Sequence, residues 1–83
     1  MSLRDTATEI VRRLQAAGFS AYWVGGCVRD YLLGREPVDY DIATSAVPEQ
    51  IEALFQRTIP VGRKFGVMLV LEGGREFQVA RLF

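Results

Sequence analysis

The sequence has no histidine and one cysteine, Cys27. The first lack removes Ser-His-Asp and Cys-His nucleophile chemistry and every imidazole metal site. The second rules out an internal disulfide and fits a reducing compartment, so a cytoplasmic location is expected. Charge of one sign is missing too: ten basic and ten acidic residues give a formal net charge of zero. A domain that holds nucleic acid unaided is usually clearly basic, so any such contact here must be local or made elsewhere. No apolar run approaches the roughly 20 residues of a membrane helix, and the N-terminus lacks a secretory layout, so no membrane partner is expected. There are no internal repeats, linkers or low-complexity tracts.

What is present is 83 residues, 49% hydrophobic and 24% charged, ordinary for one small globular domain spanning residues 1–83. Leu3, Ala7, Ile10, Val11, Leu14 and Ala17 recur at helical spacing, and Gly18 supplies a stop. Ser20 to Val24 reads as a short strand running into Gly25-Gly26. The pairs Cys27/Tyr31 and Val28/Leu32 predict a two-turn helix over 27–33, ended by Gly34 in the left-handed conformation. Arg35-Glu36-Pro37 reads as a turn and Val38 to Ala43 as a second strand. Pro48 and Glu49 open a third helix with Ile51, Leu54 and Phe55 inward, ending near Arg57. Thr58 to Val61 is a brief extended piece, and Gly62 to Gly66 a glycine-bounded basic loop. Val67 to Leu71 is apolar on both faces, which predicts a central strand. Gly73-Gly74 signals a two-residue hairpin, with Glu76 to Leu82 returning. The order is α-β-α-β-α-β-β, an α/β layer arrangement with a mixed sheet.

Two features carry chemistry. Glycines at a strand-to-helix junction let the backbone approach a ligand, and free N–H groups at the helix start favour phosphate; the plain alternative is a tight turn. Neither the Walker A nor the dinucleotide glycine pattern is present. Asp39 and Asp41 stand one residue apart, and on a strand they share a face with Cα atoms about 6.5–7 Å apart. Tyr40 and Ile42 then point into a core. Like charges at that range repel, and a hard divalent cation neutralises them; the alternative is one turn-capping and one solvated aspartate. Carboxylates on neighbouring same-face positions serve glycoside hydrolysis poorly.

Gly25-Gly26-Cys27-Val28-Arg29-Asp30-Tyr31-Leu32-Leu33-Gly34 followed by Asp39-Tyr40-Asp41-Ile42-Ala43-Thr44 resembles the head domain of the class II tRNA nucleotidyltransferase and bacterial poly(A) polymerase family. Ala46-x-Pro48 and Gly62-x-x-Phe65-Gly66 extend the resemblance over nearly all of the chain after Gly18. It implies the polymerase β-like nucleotidyltransferase fold, a mixed sheet with flanking helices. The implied reaction adds CMP or AMP units to an RNA or tRNA 3′ end from CTP or ATP, with Mg2+ or Mn2+. Gly25 and Gly26 would hold the triphosphate, Asp39 and Asp41 would be the catalytic metal ligands, and Arg29 would reach the phosphates or brace the metal site; a bridge from Arg29 to Asp39 or Asp41 with no substrate role is its alternative. Asp30 is expected to orient its helix and Cys27 to pack. Arg63 and Lys64 lie on a loop that could touch phosphate or primer, or be solvated.

The sequence departs from the family after the hairpin. Gln78 stands where the family usually supplies a third carboxylate, and Glu76, two residues earlier on the same strand face, is the candidate substitute. The later family segments (neck, body and tail) are absent, which reads as a truncated head. Three hypotheses follow: the head of a template-independent RNA nucleotidyltransferase, a catalytically impaired stand-alone nucleotide-binding module of the same fold, or an interaction scaffold. An unfinished sheet could also expose an apolar edge for self-association.

Overall fold

The computed structural model describes residues 2–35 and 39–81, with the Arg63 side chain left aside. Its elements are α1 (Leu3–Ala16), β1 (Ala21–Val24), α2 (Gly26–Leu32), β2 (Asp41–Thr44), α3 (Pro48–Leu54), β3 (Thr58–Gly62), a 3-10 turn (Arg63–Phe65), β4 (Val67–Glu72) and β5 (Arg75–Arg81).

Local chemistry explains the helix limits. Ser2 Oγ accepts from the Asp5 N–H at 3.1 Å while Asp5 Oδ2 accepts from the Ser2 N–H at 3.3 Å, a reciprocal cap on the start of α1. At its end the Phe19 N–H donates to Leu14 O and the Gly18 N–H to Gln15 O, with Gly18 at φ +95°. The same closure recurs on α2: Arg35 N–H to Asp30 O, Gly34 N–H to Tyr31 O, and Gly34 at φ +77°. α3 begins with Pro48, and Gln50 Oε1 accepts the Val47 N–H at 2.9 Å. α3 is shorter than its periodicity predicts. It stops at Leu54 because Phe55 turns extended, at φ −119°, and drops into the core.

The five strands run in the order β1-β2-β5-β4-β3. β2 and β5 are parallel, and the other pairings are antiparallel, so the sheet is mixed. Glu72 faces Arg75 across Gly73-Gly74, the expected two-residue hairpin. Three expectations need correction. The extended piece at Thr58 is a full edge strand, giving α-β-α-β-α-β-β-β. The apolar strand β4 is interior but not central: β5 takes the middle, because it alone pairs with both β2 and β4. The second strand begins at Asp41, where the pairing with β1 starts at Val24, so Asp39 precedes it. The turn expected at Glu36-Pro37, the start of that strand at Val38, and the last returning residue, Leu82, lie outside the described residues.

One side of the sheet makes the core. Ile42, Met68, Val70, Phe77 and Val79 meet Ile10 and Leu14 of α1, Ile51 of α3 and Phe55. Alternate residues of the same strands, Asp41, Leu69 and Gln78, occupy the opposite side. Arg13 ties three parts together: its guanidinium pairs with Glu72 at 3.0 Å, donates to Leu54 O, and lies 4.6 Å from the Phe55 ring centroid.

Candidate functional site

The candidate site lies at the sheet end where β1 finishes and β2 begins. Val24 and Asp41 are register partners, so the glycine turn leaving β1 sits beside the aspartate that opens β2. Gly25 adopts φ 76°, ψ −147°, a conformation reserved for glycine, and caps α2 without a side-chain acceptor. A Cβ at Gly25 would lie 3.4 Å from Asp41 Oδ2. The turn and the carboxylate are therefore in contact distance, and the absence of a side chain at Gly25 keeps the approach to that carboxylate open.

Tyr40 sets the direction of the aspartates. It is buried, with its ring edge-on to Trp23 at 5.0 Å, and Trp23 in turn meets Tyr31 of α2 at 5.9 Å. With Tyr40 and Ile42 anchored inward, Asp39 is left exposed and Asp41 half-buried. This inward–outward alternation is as expected. Cys27 is buried, as expected, and its Sγ donates to Val24 O at 3.1 Å. Its sulfur is also 3.9 Å from Asp41 O, so the thiol bridges the end of β1 and the start of β2.

Arg29 reaches back over the turn: its Nη2 is 3.7 Å from where a Cβ of Gly26 would stand. It is largely exposed and pairs only loosely with Asp30, at 3.8 Å. The alternative of a bridge from Arg29 to Asp39 or Asp41 is not found among the described residues, where neither aspartate has an ion pair. Next to the turn is an open hollow of about 630 Å³ lined by Trp23, Val24, Val28, Leu32 and Leu33, apolar in character.

Gln78 is the register partner of Asp41 on the adjacent parallel strand, so an amide stands abreast of the carboxylate. Among the described residues no three carboxylate, cysteine or histidine groups gather as a metal cluster, so Glu76 does not complete a triad with Asp39 and Asp41. Glu76 does share a cavity of about 360 Å³ with Asp39 and Arg75. Arg75 at this place is new relative to the sequence reading; the only signal for it is the parallel pairing of β2 with β5, which periodicity does not reveal. Lys64 is at the other end of β5, where the Arg81 N–H donates to Gly66 O, and its ammonium lies 5.2 Å from the Phe65 ring centroid. It is not brought to the aspartates.

The donor set fits a hard cation. Two outward carboxylates without an ion pair among the described residues suit magnesium, which commonly takes one or two protein carboxylates and completes its shell with substrate phosphates and water. A soft metal is poorly served by this set, since the one thiol is buried and already bonded.

The poly A polymerase head domain family matches residues 21–82. The CCA-adding enzyme of Staphylococcus saprophyticus is 50% identical over 78 residues, covering 94% of this chain and 20% of the relative. That of Streptococcus suis is 51% identical over 73 residues, covering 88% and 18%. Among solved structures, the Bacillus stearothermophilus CCA-adding enzyme in complex with CTP aligns with a TM-score of 0.87 at 46% identity, over 96% of this chain and 20% of that one. A tRNA nucleotidyltransferase complexed with a primer tRNA and an incoming ATP analog aligns at 0.69 and 27% identity, over 87% and 22%. This chain spans about a fifth of the length of the curated relatives it matches.

Proposed function

This chain belongs to the poly A polymerase head domain family, and on that premise we propose that it is the head of a template-independent RNA nucleotidyltransferase, which adds CMP or AMP to tRNA or other RNA 3′ ends. The observation that carries the proposal is the contact between the Gly25 turn and Asp41, which puts a backbone suited to phosphate beside a carboxylate suited to a divalent ion. Similarity to a protein solved with CTP, and to one solved with a primer tRNA and an ATP analog, supports the choice of CTP or ATP and an RNA end as substrates.

In this reading Asp39 and Asp41 hold Mg2+, with Mn2+ able to replace it. When bound, such an ion polarises the phosphoryl group and neutralises charge on the departing pyrophosphate. The chain's own residues bind and orient. The first N–H groups of α2 face the triphosphate, and Gly25 and Gly26 let it approach the backbone. Arg29, exposed above the turn, supplies a planar guanidinium to phosphate oxygens. Tyr40 and Cys27 hold the two aspartates and the turn in register. The expected domain arrangement is that residues 1–83 form the head, and binding to tRNA draws on the remainder of the enzyme.

The test is a titration of ATP with magnesium into the wild-type chain and an Asp39→Ala, Asp41→Ala variant. The expected result is magnesium-dependent binding in the wild type, with at least a tenfold loss (~1.4 kcal/mol) in the variant. Equal binding by both chains, or none by either, overturns the site assignment. A second reading is favoured by Gln78 beside Asp41: a nucleotide-binding module impaired in catalysis. An amide carries no charge and cannot serve as a base. Nucleotide binding without pyrophosphate release, restored by Gln78→Glu, would select it.

A further inference from the structure

We propose that Tyr31 of α2 is a positioning residue for the metal-binding carboxylates, acting through Trp23 and Tyr40. The inference rests on reading Asp39 and Asp41 as metal ligands, and it names what holds them in place. Among the described residues neither aspartate has an ion pair, so no charged partner fixes its direction. Their aim comes from the residue between them. Tyr40 is 2% exposed, and Asp39 and Asp41 are its neighbours in the chain, so a rotation of Tyr40 turns both carboxylates.

Three rings in contact link that position to α2. The Tyr40 ring meets Trp23 edge-on, with 5.0 Å between centroids and 62° between planes. Trp23 meets Tyr31 in the same manner, at 5.9 Å and 68°. Edge-to-face pairs are directional, since the positive edge of one ring seeks the negative face of the other, so each contact fixes an angle as well as a distance. Tyr31 is also held by Arg4 of α1, whose guanidinium carbon lies 5.7 Å from the ring centroid. α2 needs this support, because among the described residues of this seven-residue helix only Cys27 is buried. Cys27 and Tyr31 stand four residues apart and so share a helix face. Cys27 ties that face to Val24 O at the turn, and Tyr31 ties it to Trp23 one turn further along. Two ties a turn apart stop the helix from pivoting about the first. The helix that follows the glycine turn and the segment that bears the aspartates are thereby set by one indole between them, the kind of packed support that holds ligand groups at a productive geometry. Tyr31 is 49% exposed, so its ring adds less to the core than to this alignment.

The experiment measures manganese binding by the full chain, read from the electron paramagnetic resonance signal of the free ion, with a urea midpoint for each variant so that affinities are compared between folded chains. Tyr31→Ala is expected to weaken manganese binding by about two- to tenfold, the size that one edge-to-face ring pair carries. Tyr31→Phe, which keeps the ring, is expected to retain the wild-type affinity. Leu32→Ala, the adjacent and more exposed position on α2, is expected to leave affinity unaltered. In a Trp23→Leu background the loss from Tyr31→Ala is expected to disappear, because the ring it acts through is gone. Unchanged affinity in Tyr31→Ala overturns the proposal, and so does an equal loss in Leu32→Ala, which would assign the effect to the helix as a whole. A loss in Tyr31→Phe as large as in Tyr31→Ala overturns it by assigning the effect to the hydroxyl, and an undiminished loss without Trp23 does so by removing the path. The metal site fails separately. Manganese binding that is absent from the wild type, or that survives Asp39→Ala, Asp41→Ala, removes the site and the positioning role with it, whereas binding that needs the aspartates and ignores Tyr31 removes the positioning role alone.

Discussion

On β5, Phe77 and Val79 are sealed against the helices, while Gln78 between them faces outward beside Asp41. β2 repeats the pattern, with Ile42 inward and Asp41 outward. The same strands thus serve two regions under different constraints. The inner side is fixed by volume, because a buried side chain touches several others and any change in size is felt. The outer side near the sheet end is fixed by direction alone: its side chains are aimed by the backbone and by the anchors opposite. The outer side can therefore change its chemistry without disturbing the packing that aims it.

The largest expected effect tests that separation on adjacent residues. Phe77→Ala is expected to cost about 3–5 kcal/mol, through lost burial and the cavity left behind. Domains of this kind have about 5–15 kcal/mol in total, so most of the folded margin is at stake. Gln78→Ala, one residue along, is expected to stay within about 0.5 kcal/mol. Urea midpoints for the two variants measure the contrast. Similar losses at both positions would break the two-sided description.

A smaller effect sharpens it at the glycines. Gly25 and Gly34 bracket α2 with nearly the same φ, 76° and 77°. A Cβ on Gly34 meets nothing within 4 Å, whereas one on Gly25 comes to 3.4 Å from Asp41 Oδ2. Alanine at either position is expected to cost about 1–2 kcal/mol of backbone strain. Only Gly25→Ala is expected also to weaken magnesium-dependent ATP binding. If Gly34→Ala weakened it equally, the effect would belong to the helix as a whole and not to the contact with Asp41.

These glycines also show why much of the chain was legible in the sequence. A residue free to take positive φ marks a helix end or a hairpin tip, and Gly18, Gly34 and Gly73-Gly74 do so. The inward Tyr40 and Ile42 follow from strand alternation. Less legible was whatever depends on pairing between distant segments. α3 read too long because Phe55 is apolar at helical spacing, yet it enters the core from an extended backbone. β3 was faint because Ile59, Pro60 and Val61 are all exposed on an edge strand, where proline is tolerated. Nothing local says that β5 slots between β2 and β4, and that insertion is what brings Gln78 to Asp41 and Arg75 to Asp39.

The smallest expected effect comes from comparing how two helices begin. α1 starts with its N–H groups engaged by Ser2 and Asp5, while α2 starts at Gly25 with no side-chain acceptor. The Ser2 backbone N–H, and after it the Ser2 hydroxyl, hold the Asp5 carboxyl below its ordinary value. A carboxylate with a depressed folded pKa adds stability that is present above its unfolded pKa and lost as pH falls through the folded one. Asp5→Asn is therefore expected to lower the urea midpoint slightly near neutrality. The difference from wild type should shrink below about pH 4 and close as the carboxyl protonates. A difference constant with pH would mean that Asp5 acts by shape and not by charge. Among the described residues no carboxylate caps the start of α2, so the pH-dependent stabilisation of α1 has no counterpart there.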